Sequence, residues 1–379
     1  MNKYRSVAIA KNPQMPAGSA VGPVQAWVRF WLRPTDPIGL HALRVLAGLL
    51  FICWLLPFAG EVQGLFGLQG WFDTQAYYDA HRIAEMDRPQ PIGWSILYLC
   101  GSNATLLNVV YWAALAILAF FALGVFTRVT AVLSWIIVVS FTANPATAWD
   151  ADALLIILAF YLMIGYVLLG QWNAKQSLFS RLLGSSDTWL FGRSSSQDSD
   201  RGSVAANVAL RLLQVHFAIV MVTSGLHKLQ FGEWWSGAAF WYPLHPPFST
   251  TFEQARENAP NALTYLFFLS LAAYATLAWQ IAFPLFAWRP RWRILLLGGA
   301  VVGWLGMIFI YDMPLFGPAI CIGCVSYLTV PEWEWIRELL AKLPGLQWLR
   351  PQSVALQGEL LKESINKEDS SSIIATRQR

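Results

Sequence analysis

The sequence predicts an all-α fold: a polytopic membrane helix bundle of about eight transmembrane helices with both termini cytoplasmic. Three observations predict it. Of 379 residues, 56% are hydrophobic and 13% charged, about half the charged share of a soluble domain. Apolar runs recur along the whole chain at roughly the 17 to 25 residues that an α-helix needs to cross a hydrocarbon core. The basic residues alternate between successive loops, with 20 of the 26 Lys and Arg on one side of the alternation. The positive-inside rule makes that side cytoplasmic.

The elements follow in order. Residues 1–34 form a cytoplasmic N-terminal segment with scattered Lys and Arg and no apolar core ahead of a small-residue cleavage site, so no cleaved signal peptide is expected. A transmembrane domain covers 35–330, with spans at 39–58, 105–126, 129–147, 153–170, 205–226, 262–287, 294–311 and 315–330. The eighth is short, contains Pro318 and is separated from the seventh only by Asp312, Met313 and Pro314, so a partly re-entrant hairpin is the alternative there. Residues 59–104 mix Trp71, Phe72, Tyr77, Tyr78 and Trp94 with charges, which suits short helices in an outer interfacial layer. The Ser-rich stretch 185–203 reads as a flexible cytoplasmic linker. Within 331–379, Trp333, Ile336, Leu339, Leu340 and Leu343 recur at helical spacing opposite Glu334, Arg337, Glu338 and Lys342. That pattern predicts an amphipathic helix on the inner surface, followed by a polar, disordered tail.

Several functions are excluded. A net charge of +4, with its basic residues scattered between apolar spans, does not suit nucleic acid. Cys53, Cys100, Cys321 and Cys324 make no disulfide framework, and the CxxC of Cys321 and Cys324 lies in an apolar run beside Gly317 and Gly323, where small thiols serve helix contact. No spacing suits zinc, so no metal is expected. There is no Gly-rich phosphate loop and no Gly-x-Ser-x-Gly nucleophile motif.

The fifth span carries the chemistry. Residues 211, 214, 218, 221, 225 and 228 are spaced three or four apart, so Arg211, Gln214, Gly225 and Lys228 share one helical face. Ionisable groups in a span turn toward a bundle interior or a wet cavity, which turns this face inward. Lys228 is one of four basic residues on the outer side, with Arg82, Arg88 and Arg256. It reads either as a snorkelling lysine or as a buried amine able to act as a base. Asp150 and Asp152 stand before an apolar run on the same side, where helix N-capping accounts for them and a supporting role beside Lys228 is the alternative. His227 reads equally as an interfacial residue or as a support for the lysine. Arg44 and Arg211 read either as buried partners for an acid or an anionic headgroup or as anchors at the cytoplasmic ends of their spans, and anchoring is favoured for Arg44.

Gly225-Leu226-His227-Lys228-Leu229, followed by Trp234-Trp235-Ser236-Gly237, resembles the G-[LV]-x-K-L…W-x-x-G segment of the horizontally transferred transmembrane (HTTM) family, which includes the membrane domain of the vitamin K-dependent gamma-carboxylase. Leu40-His41-Ala42-Leu43-Arg44-Val45-Leu46 resembles the arginine-bearing first span of that family. The layout is similar over roughly 35–330, and the close match lies in the fifth-span segment. The resemblance implies that Lys228 is a base that deprotonates a reduced quinone in a dry site, with Trp234 and Gly237 beside it.

The sequence also departs from the carboxylase. Asp150-Ala151-Asp152 replaces an asparagine and a histidine, Gly303 to Phe309 contain no histidine, and Gln280 stands where relatives usually have an acid. The carboxylase's large lumenal domain is not among these 379 residues. Glutamate carboxylation itself is therefore not expected. Three functions remain: a membrane enzyme using Lys228 as base on a quinone or another lipophilic substrate at the outer face, a transporter with Arg211, Gln214 and Lys228 along its path, and a non-catalytic maturation, immunity or scaffold protein. The sharpness of the lysine motif puts the enzyme first. The partners expected are the lipid bilayer and a lipophilic or peptide substrate, and the expected location is a bacterial cytoplasmic (inner) membrane.

Overall fold

A computed structural model describes residues 22–67, 70, 94–100, 103–144, 147, 151–169, 202–245, 251, 253–254, 257 and 262–344. The described residues contain no strand, and one isolated bridge joins Thr35 to Ser203. Their principal elements are α1 (Pro23–Leu32), α2 (Ile38–Leu55), α3 (Val62–Phe66), α4 (Ala104–Leu123), α5 (Thr127–Thr142), α6 (Asp152–Leu168) and α7 (Val204–Lys228). After these come α8 (Gly232–Trp235), α9 (Trp241–Leu244), α10 (Ala262–Phe286), α11 (Arg293–Tyr311), α12 (Phe316–Val325) and α13 (Val330–Leu340).

An apolar helix occupies each of the eight stretches read as spans. Five are long and apolar enough to cross a membrane: α2 with its 3-10 extension to Gly60, α4, α7, α10, and α11 with the 3-10 turn before it. These are the helices of a multi-pass integral membrane protein. Among the shorter three, α5 has 16 residues and α6 has 17. The 10 residues of α12 rise roughly 15 Å, about half a hydrocarbon core.

Local chemistry sets many of the helix ends. Asn103 and Ser203 cap α4 and α7, accepting hydrogen bonds from the Leu106 and Ala206 amides. Gly124, at φ 86°, closes α4 in the left-handed conformation, and Asp312, at φ 54°, closes α11. These stops allow tight reversals into α5 and α12. Thr329 and Glu332 form a reciprocal capping box on α13.

The helices pack around α2, which touches α4, α6, α7 and α12. One continuous core runs through them, including Leu43, Phe51, Phe121, Leu155, Phe217 and Phe283. Small residues permit the close approaches: a Cβ at Gly48 would lie 2.7 Å from that of Ala122 on α4. By contrast, α10 and α11 expose much apolar surface, including Phe267, Leu285, Ile294, Val302 and Phe309. That is the composition of a lipid-facing wall.

Contacts sort the bundle into two ends. At the α1 end, Asn207 donates to the Phe30 and Trp31 carbonyls, Arg128 donates to the Leu169 carbonyl, and Arg293 pairs with Glu332. At the Lys228 end, Tyr111 donates to the Leu55 carbonyl, Asn144 to the Leu65 carbonyl and Trp304 to the Pro314 carbonyl. The expected surface helix is α13, which buries Trp333 against Ile38 and Ala42 of α2. Most of 59–104 and the linker lie outside the described residues; α3 and the 3-10 helices Leu56–Gly60 and Ile96–Cys100 are the short elements described there. The tail beyond 344 also lies outside them.

Arg44 is not an interfacial anchor. It is fully buried, with its guanidinium 5.5 Å from the Tyr166 ring centre and Nη1 3.4 Å from the Tyr166 hydroxyl. His41 Nδ1 shares that hydroxyl at 2.7 Å. Its place near the start of α2 suggested an anchor, but the helix turns this face toward α6.

Candidate functional site

The end of α7 and the segment after it build the site. The helix runs through Lys228, and the chain then folds back through α8 and α9 toward α10. Gly237 makes that return possible. Its φ of +75° lies in the left-handed region, and an added Cβ would come within 2.6 Å of Ser270 Oγ on α10. The returning segment packs Ala239 and Phe240 against Ala273, with Trp234, Leu269, Ile310 and Tyr311 around them. Tyr274 donates to the Trp235 carbonyl and Trp235 to the Leu229 carbonyl. A cap of aromatic residues thus bridges α7, α10 and α11.

Lys228 lies half-buried under this cap. Its Nζ donates to Ser224 Oγ at 2.8 Å and stands 5.4 Å from the centre of the Trp234 ring. Both contacts are chemically informative. The ring face attracts a cation, whereas a hydroxyl can accept from an ammonium or donate to a neutral amine. A base that cycles between the two states needs such a neighbour. The one ion pair among the described residues is Arg293–Glu332, at the other end, so no described carboxylate pairs with Lys228.

One turn below Lys228, Gly225 brings α7 against α10. A Cβ there would meet Ile281 Cγ1 at 2.8 Å and Gln280 Cβ at 3.1 Å. Gln280 Oε1 is buried with no hydrogen-bond partner. Leaving such an acceptor unsatisfied costs about 1–3 kcal/mol, so this amide is suited to receive a donor from a bound molecule.

The structure brings together Lys228, Gly225, Trp234 and Gly237 from the sequence-derived set. His227 points elsewhere: it is exposed and packs edge-to-face on Phe231, 5.2 Å between ring centres. Arg211 and Gln214 share the helix but sit toward its opposite end, 17 and 14 positions from Lys228, or roughly 25 and 21 Å of helix. Gln214 there accepts from Arg211 at 2.8 Å and from Trp288 at 3.2 Å, and donates to the Ser326 carbonyl at 2.7 Å. These bonds tie α7 to the ends of α10 and α12. Asp152 is the first residue of α6, and Ala151 occupies the N-cap position with no side-chain cap bond. That places its carboxylate in the first turn, at the positive end of the helix dipole. Asp150 lies outside the described residues.

Three participants were not singled out from sequence: Ser224, Phe240 and Tyr311. Ser224 was accessible, since residues four apart on a helix are neighbours. The other two depend on how the cap folds. Among the described residues, no group of three or more His, Cys, Asp and Glu side chains converges on a point that could hold a metal.

No family model, curated protein or solved structure matches this chain.

Proposed function

We propose that this chain is a membrane enzyme in which Lys228 acts as a base on a quinone or another lipophilic substrate, bound at the outer membrane face beneath the α8–α9 cap. The carrying observation is the setting of the amine, half-buried between Ser224 and Trp234. The unpartnered Gln280 oxygen nearby supports it as an acceptor for a substrate hydroxyl. In this reading all eight apolar helices cross the membrane, both termini are cytoplasmic, and the membrane is a bacterial inner membrane. The HTTM resemblance rests on the residues from Gly225 to Gly237.

The chemistry asked of the chain is limited. Trp234 and Phe240 exclude water above the amine, Lys228 takes a proton from an acidic hydroxyl of the substrate, and the Ser224 hydroxyl reorients as the amine changes charge. Positioned proton transfer of this kind contributes about 10²–10⁴-fold in rate. The test compares membranes carrying the native chain with membranes carrying Lys228→Ala at equal protein level. Quinones and lipids are extracted and profiled by mass spectrometry. A product lost with the lysine supports the enzyme; identical profiles favour the non-catalytic maturation, immunity or scaffold role.

A further inference from the structure

We propose that the α1 end of the bundle holds the phosphate of an anionic phospholipid between Arg211 and Arg33, with α1 lying in the membrane interface as the floor of the site. Val24, Trp27, Val28, Trp31 and Leu32 recur at helical spacing, none of the helix residues is buried, and Val24 and Trp27 are 73% and 64% exposed. Arg29 and Arg33 lie on the other arc. An amphipathic helix of this kind, rich in Trp and Arg, rests at the boundary of headgroups and acyl chains.

The helix is fixed to the bundle at that depth by Asn207, which donates to the carbonyls of Phe30 and Trp31 at 2.9 and 2.8 Å. The Thr35–Ser203 bridge adds a second tie. This attachment lays the Phe30 ring against Arg211, whose guanidinium carbon is 4.5 Å from the ring centre.

Arg211 is the incomplete member. Nη1 bonds Gln214 Oε1, but Nε is buried without a hydrogen-bond partner. Arg33 lies between the Phe30–Trp31 carbonyls held by Asn207 and the Thr35–Ser203 bridge, which brings it to the same end of α7, and neither guanidinium has an acidic partner among the described residues. Two cations held near each other, one with an unused buried N–H, are completed by an anion with several acceptor oxygens. Guanidinium groups suit phosphate in this way. The adjoining interfacial helix supplies the apolar surface that an acyl chain needs, which distinguishes a lipid from free phosphate. The proposal depends on membrane insertion and not on the chemistry of Lys228.

The test uses the purified full chain in detergent, with lipids added and retention read by native mass spectrometry. Phosphatidylglycerol is expected to be retained in preference to phosphatidylcholine. Arg33→Gln and Arg211→Gln should each lower that retention about fivefold, equivalent to about 1 kcal/mol for each basic side chain at an anionic surface. Arg33 is exposed, so Arg33→Gln carries the test if Arg211→Gln fails to fold. Lys228→Ala should leave retention unchanged. Equal retention of the two lipids, retention unaffected by Arg33→Gln, or displacement of the lipid by millimolar inorganic phosphate overturns the proposal.

Discussion

The amine of Lys228 stands 5.4 Å from the centre of the Trp234 ring while donating to Ser224 one turn below it on the same helix. A simple snorkelling lysine would extend toward water; this one is held under an aromatic lid. The relationship makes separable predictions for the hydroxyl and the ring. Ser224→Ala should reduce any Lys228-dependent product about tenfold, and Ser224→Thr should restore it, because threonine retains the hydroxyl. Trp234→Ala should open the lid and lower apparent substrate affinity more than turnover. Initial rates across substrate concentrations in membranes distinguish the two effects.

The approach of α7 to α10 at Gly225 should tolerate no large side chain. Gly225→Leu places atoms where Ile281 and Gln280 already lie, and overpacking of this kind costs about 1–3 kcal/mol. Gly298→Ala is the control: nothing lies within 4 Å of an added Cβ there, and the helix should be unchanged or stabilised by up to about 1 kcal/mol. Thermal unfolding in detergent is expected to fall for the first and hold or rise for the second.

A buried polar pair should matter far from the site. Tyr166→Phe removes the hydroxyl shared by His41 and Arg44. Leaving buried partners short of a bond costs about 1–3 kcal/mol. The expected result is a lower unfolding temperature, with the lipid profile unchanged at permissive temperature.

At the start of α13, burial raises the Glu332 pKa, but the bonds from Arg293 and from the Thr329 amide and hydroxyl outweigh it and hold the carboxylate below its usual range. A depressed folded-state pKa means that the stabilisation is complete above the unfolded-state value and disappears as pH falls through the folded one. The unfolded value is about 4.3. Hydrogen exchange of α13 should therefore be constant from neutral to mildly acidic pH once corrected for the intrinsic rate, and accelerate below it. Glu332→Gln should show the faster exchange already at neutral pH and lose the acid step.

The eight apolar helices were legible because apolar runs advertise themselves through length and composition, and five of them are long enough to cross a membrane. The end of α7 was legible too, since Gly225, Lys228, Trp234 and Gly237 lie within 13 consecutive residues. Helical periodicity also grouped Arg211 and Gln214 with Lys228, correctly for the face, but periodicity is blind to depth along the axis. Their actual partners, Ser326, Trp288 and Phe30, come from distant elements that a single helical wheel does not show. Arg44 follows the same pattern: its place near the helix start suggested an anchor, whereas Tyr166 on α6 receives it. The cap resisted prediction because its contacts to α10 and α11 depend on the left-handed turn at Gly237.

The most direct measurement is native mass spectrometry of the gently solubilised native chain beside Lys228→Ala and Arg33→Gln, followed by release and identification of any small lipophilic molecule that co-purifies. A Lys228-centred site predicts one such molecule bound to the native chain and to Arg33→Gln, and absent from Lys228→Ala of equal thermal stability. The same molecule retained undiminished by Lys228→Ala would contradict the assignment of this lysine.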